Sequence, residues 1–140
     1  MIEKYYSYDT KGLLLELEDS RRTLRNLEVQ YMELDGARAL DYSTERVQTS
    51  SPVNGLEKVA IQRTDLRAKI DRYRRDIELV DKCIRALPED EQIVISEFFF
   101  KKKSKQAAVI ALCDRLALEK TAVYSLRQKA LRDFERLLFG

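Results

Sequence analysis

Histidine is absent from this chain, and with it goes the side chain that most often serves as a general base near neutral pH. Glycine occurs four times and proline twice, so helix breakers are scarce, while Leu, Ala, Glu, Lys, Arg and Gln are abundant. That balance predicts an all-α protein. The two cysteines, Cys83 and Cys113, do not form a CxxC pair, which argues against a disulfide framework or a zinc site. No apolar run approaches the roughly 20 residues of a membrane span, and "MIEKYYSYDTKG" has no signal-peptide core. The expectation is a soluble protein of the cytoplasm with no membrane partner. Glycine-rich phosphate loops, DxD and HExxH arrangements are also missing. No enzymatic activity, catalytic residue, metal or cofactor is therefore expected.

What is present is periodicity. Leu13, Leu17, Ser20, Leu24, Leu27, Tyr31 and Leu34 recur in steps of three and four, a heptad seam with one polar interruption. A second series runs Leu56, Val59, Arg63, Leu66, Ile70, Tyr73, Ile77, Val80, Ile84, Leu87 in the same steps. Between them "DYSTERVQTSSPVNG", residues 41–55, reads as a flexible loop. Two seams joined by a loop predict a long antiparallel helical hairpin of coiled-coil type over residues 1–87. Through Arg85 this half carries 16 basic and 16 acidic residues, so it has no net charge with which to attract a polyanion. The run "RAKIDRYRR" is interleaved with Asp71 and Asp76, and i,i+4 pairing explains it.

Residues 88–140 have another character. Pro88 suits a first helical position, and Glu89, Asp90 and Glu91 then lie where the helix dipole favours acid. Ile93, Val94, Phe98 and Phe99 give the packing face of this helix, which ends at "KKKS". Ser104 is the expected N-cap of a helix from Lys105 to Leu116, with Val109, Leu112, Cys113 and Leu116 inward. After the short turn "ALE" comes "EKTAVYSLRQKALRDFERLL". Its apolar face is Val123, Leu126, Ala130, Phe134 and Leu137, flanked by Leu131 and Leu138. At 100° per residue Thr121, Ser125, Gln128 and Arg132 gather on the opposite side, with Tyr124 at the edge and Lys129 beside it.

Charge concentrates in the same place. From Lys101 to Arg132 nine basic residues stand against Asp114 and Glu119, a local net of +7 within a chain of overall +2. A helix, a tight turn and a second helix with small polar residues on its free face is the arrangement that enters the DNA major groove. Local basicity supplies the phosphate attraction. Expected base-reading residues are Thr121, Tyr124, Ser125 and Gln128. Expected phosphate contacts are Lys102, Lys103, Lys105, Lys120, Lys129 and Arg132.

"LPEDEQIVISEFF" followed by "ALCDRLALEKTAVYSLRQKALRDFERLL" resembles the fourth region of bacterial sigma factors, in which a Leu-Pro helix start precedes a helix-turn-helix closed by a Lys-Ala-Leu-Arg run, here Lys129 to Arg132. With its paired N-terminal helices the chain resembles the ArpU and RinA type of phage late-gene transcriptional regulators. The resemblance implies sequence-specific binding to double-stranded promoter or operator DNA in the bacterial host cell, and leaves room for host RNA polymerase and for a homodimer as partners. Ala117 stands where sigma-like turns commonly carry glycine, and Glu119 where they carry a Ser or Thr cap. The preceding half does not resemble a sigma second region, so promoter opening is not expected of this chain alone. The rival expectation is a packaging protein of small-terminase type, which joins a DNA-binding fold to oligomerising helices.

Overall fold

A computed structural model describes residues 9–44 and 52–140. Among them every regular element is helical. These are α1 (Thr10–Thr44), α2 (Pro52–Arg85), α3 (Glu89–Ile95) with a π-helical continuation (Ser96–Phe100), α4 (Lys105–Leu116) and α5 (Lys120–Phe139). The stretch 41–55, expected as loop, is helical at both ends: α1 runs through 41–44 and α2 opens at Pro52. Proline fits that position because the first helical N–H has no intrahelical acceptor. The rest of the expected loop, 45–51, lies outside the described residues.

Packing divides the chain into two units, Ser20–Arg75 and the combination of Met1–Asp19 with Asp76–Gly140. The start of α1 and the end of α2 therefore share a unit with α3, α4 and α5, although composition changes at Pro88. In the unit Ser20–Arg75 the seam positions of both helices are the shielded ones. Leu24, Leu27, Tyr31 and Leu34 on α1, with Leu56, Val59, Leu66 and Tyr73 on α2, are half-buried, and Ile70 is buried. Arg63 interrupts the apolar seam of α2 and is matched by α1. Its Nε lies 2.9 Å from Asp35 Oδ1, and its Nη2 donates to the Tyr31 hydroxyl at 3.1 Å. Arg74 Nη2 donates to Glu28 Oε1 at 3.0 Å. Residue numbers fall along α2 as they rise along α1, so the two helices contact in antiparallel order.

In the other unit Leu13, Leu14 and Leu17 of α1 and Ile77, Val80 and Cys83 of α2 are buried. Thr10 Oγ1 donates to Glu135 Oε2 on α5 at 3.2 Å, which ties the start of α1 to the last helix. The end of α2 is capped from α3: Gln92 Nε2 donates to the carbonyls of Leu87 at 2.8 Å and Arg85 at 3.3 Å. Those late carbonyls have no intrahelical donor, so the amide supplies one. Pro88, expected as the first helical residue, stands one place earlier as the N-cap of α3. Both cysteines are free, Cys83 buried and Cys113 half-buried.

α5 packs on α3 and α4, and the π segment packs on both of those shorter helices. Val94, Val109, Leu112 and Val123 form the centre of this core, with Ile93, Phe98, Cys113, Leu116 and Leu126 packed around it. On α5 the buried stripe is Val123, Ala130, Leu131 and Phe134. Leu137, expected inward, is 48% exposed. The stripe leans toward Leu131, and Leu137 sits six residues on, about 120° around the helix from it.

The connection from α4 to α5 is the expected three residues. Ala117 adopts φ 54°, ψ 45°, and among the described residues it is the one non-glycine with positive φ. A Cβ in left-handed backbone costs on the order of 1 kcal/mol, which glycine avoids. Ala117→Gly is expected to raise stability by about 0.5–1 kcal/mol, a gain of a few degrees in a thermal melt followed by circular dichroism. Ile77→Asp, at 5% exposure, is expected to place an unpartnered charge in the core. It should cost several kcal/mol and melt well below Leu66→Asp, whose site is half-buried.

Candidate nucleic-acid interface

The α4–α5 pair begins at Ser104, whose Oγ accepts from the Ala107 N–H at 3.1 Å, as its sequence position predicts. α4 turns its buried Ala108, Val109 and Leu112 toward the core. Leu118, in the middle of the connection, packs against the same core, and α5 starts from Glu119 in extended backbone without a side-chain cap. Burial of Val123, Ala130 and Phe134 fixes the rotation of α5 about its axis, and the opposite face is left to solvent. Thr121, Ser125, Gln128 and Arg132 are all exposed on that face, and Lys120 and Lys129 are exposed beside it.

Tyr124 differs from the other three base-reading candidates. It is half-buried, its ring is 6.4 Å from Phe98 with the planes at 42°, and Lys105 Nζ lies 5.3 Å from its centroid. Lys105 is thus brought to the edge of the α5 face by a cation–π contact. Arg127, one residue before Gln128, is drawn inward. Its guanidinium sits 5.0 Å from the Phe98 ring and 5.5 Å from Phe99.

The phosphate candidates are not equivalent. Lys102, Lys120 and Arg132 are exposed. Lys103 Nζ donates to Glu97 Oε2 at 2.8 Å, and Lys101 Nζ donates to Glu97 Oε1 at 2.6 Å. Arg115 Nη1 lies 3.9 Å from the same Oε1. The Glu97 side chain is only 4% exposed, and the lysine hydrogen bonds hold its carboxyl below the ordinary value despite burial. Three cations of the basic segment therefore surround one interior anion. The pattern missed Glu97, although its i,i+4 spacing to Lys101 was a readable signal. What was not readable is the π turn, in which Lys101 N–H donates to Ser96 carbonyl at 3.0 Å. The expected face of Ile93, Val94, Phe98 and Phe99 becomes a core of Val94, Ile95 and Phe99 with Glu91 and Glu97 buried beside them.

Glu91, expected as a dipole-favoured acid of the first helical turn, is in that turn and 1% exposed. Burial, followed by the neighbouring Asp133 carboxyl, pushes its pKa up to about 7, and Asp90 adds to the push. Lys129 Nζ, 3.9 Å from Oε1, opposes it. A protonated Glu91 can donate to Asp133, whereas an ionised one would be a buried anion offset only by the longer contact to Lys129.

Among the described residues no three His, Cys, Asp or Glu side chains gather as metal ligands, and no helix is long and apolar enough to cross a membrane. Comparison with protein-family models, with curated proteins and with solved structures finds no match.

The raised pKa of Glu91 makes stability pH-dependent in a defined window. Between pH 4.5 and about 7 the unfolded chain releases this proton while the folded chain keeps it, so stability falls as pH rises. Glu97 acts in the opposite sense but below pH 4.5, where acid removes its stabilising charge. Glu91→Gln is expected to gain on the parent by about 1–3 kcal/mol between pH 5 and 8. Thermal melts at several pH values check this. A constant difference between the two proteins would show that folding does not raise the Glu91 pKa.

Proposed function

We propose that the chain is a sequence-specific DNA-binding regulator of phage late-gene transcription, not an enzyme, acting in the cytoplasm of the bacterial host. In this reading α3, α4 and α5 form a helix-turn-helix module of the kind found in the fourth region of sigma factors, carried on a coiled-coil hairpin of α1 and α2. The observation that carries it is the exposed row Thr121, Ser125, Gln128 and Arg132 on α5. The row lies opposite a well-buried stripe and just after a left-handed turn at Ala117. Side chains of that type and spacing match the donor and acceptor pattern of base edges. The exposed Lys102, Lys120 and Arg132 supply phosphate contacts that add affinity without sequence preference. Tyr124 and Lys105, already engaged with each other, serve the rim of the interface more than its centre.

A packaging protein of small-terminase type is the second reading. Val29, Met32 and Ile61 favour it, being 52%, 72% and 61% exposed on the unit Ser20–Arg75, as apolar side chains covered by further copies would be. Sedimentation separates the readings, since closed rings belong to the second and a monomer or dimer to the first.

Selection of bound fragments from phage and host DNA tests the main proposal. The parent is expected to enrich one promoter-proximal sequence. Gln128→Ala should relax preference at one base pair by about 1–3 kcal/mol of discrimination and leave the salt dependence unchanged. Lys120→Ala should weaken binding to all sequences alike and lower the salt slope by about one. If Gln128→Ala and Arg132→Ala both bind every fragment as the parent does, α5 does not read DNA and the face serves a protein partner.

A further inference from the structure

Lys101, Lys103 and Arg115 converge on the interior carboxylate of Glu97, and we propose that together they form a preorganised site for a backbone phosphodiester of duplex DNA. The inference rests on the DNA-binding reading above and adds to it two residues, Lys101 and Arg115, that charge patterning had not singled out.

Charge balance is the first support. One carboxylate faces three cations, which leaves a local excess of two positive charges. Each ammonium has three donors and spends one on Glu97. Arg115, at 3.9 Å, is beyond hydrogen-bond length from Glu97, so this pairing does not saturate its planar fork. The side chains of Lys101, Lys103 and Arg115 are 46%, 37% and 55% exposed while that of Glu97 is 4% exposed, so the anion lies beneath and the cations face outward.

Preorganisation is the second. Three like charges repel one another, and free lysines must lose rotamer freedom to hold a ligand. A buried carboxylate bonded to both ammonium groups keeps them together before any ligand arrives, and an incoming phosphate oxygen completes the donors that Glu97 leaves open. Glu97 is a positioning residue in this arrangement and does not itself meet the phosphate.

Placement is the third. Lys105, two residues beyond Lys103, touches the Tyr124 ring at the edge of the α5 face. Arg115 occupies the last turn of α4, immediately before the connection to α5. The cluster is thus linked along the chain to the edge of the α5 face through Lys105 and to the start of the connection through Arg115.

The test is fluorescence anisotropy of the full chain with a 20-base-pair duplex of arbitrary sequence across a range of potassium chloride. Arg115→Ala and Lys101→Ala are each expected to weaken binding several-fold and to lower the slope of log affinity against log salt by about one. Base preference at the position read by Gln128 should not change. Arg72→Ala, an equal loss of charge on α2, is expected to leave the slope as it was. If Arg115→Ala and Lys101→Ala keep the parent slope, or if Arg72→Ala lowers it equally, the phosphodiester site is overturned and the DNA-binding reading stands. A parent chain that binds no duplex at any salt overturns both.

Discussion

Burial of one side of α5 against α3 and α4 is the constraint on which the candidate interface depends. Val123 enters a core with Val94, Val109 and Leu112, Ala130, Leu131 and Phe134 are buried on the same helix, and that burial sets the rotation of the helix about its own axis. Thr121, Ser125, Gln128 and Arg132 are displayed because the other side is hidden, not because anything holds them outward. The left-handed turn at Ala117 sets the angle at which α5 departs from α4, and Leu118 anchors that turn in the same core. A face made in this way is rigid in the backbone and free in the side chains, which suits contact with a surface whose atoms lie at fixed positions.

Two interior carboxylates give the module its electrostatic character, and they behave oppositely. Glu97 is buried with cations on its outer side and stays charged, so burial is offset by hydrogen bonds from Lys101 and Lys103. Glu91 is buried beside another acid and holds its proton up to about pH 7. The difference between the two sites is which neighbours the helices bring to them. Glu97 faces the basic segment that follows the π turn, and Glu91 faces Asp133 on α5.

Much of the helical framework was legible in the sequence because it depends on period and on local capping chemistry. Both heptad series mark shielded positions along α1 and α2, Ser104 caps α4 as its position predicts, and "ALE" is the turn between α4 and α5. The helix ends were less legible, since Ser, Thr, Asn and Pro near the ends of α1 and α2 read as loop although a helix can end or begin in them. The burial of Glu91 and Glu97 was not legible at all. Carboxylates in a first helical turn or near lysines look like surface residues, and only the π turn and the packing of α5 bring them inside. Of the candidate interface residues, the exposed row was visible from the wheel. The attachment of Lys103 to Glu97 and of Tyr124 to Phe98 required tertiary packing to appear.

The polar break in the α2 seam bears on alignment. A purely aliphatic pair of helices can slide by seven residues and bury nearly the same surface, since every heptad offers the next the same hole. Arg63 removes that degeneracy: its guanidinium finds Asp35 and the Tyr31 hydroxyl together at one relative offset. At an offset of one heptad the same side chain would lie in the seam away from both partners, with its charge partly desolvated. Arg63 thus marks one register of the pair, as does Arg74 with Glu28, and a chain that mispaired by a heptad during folding would forgo both.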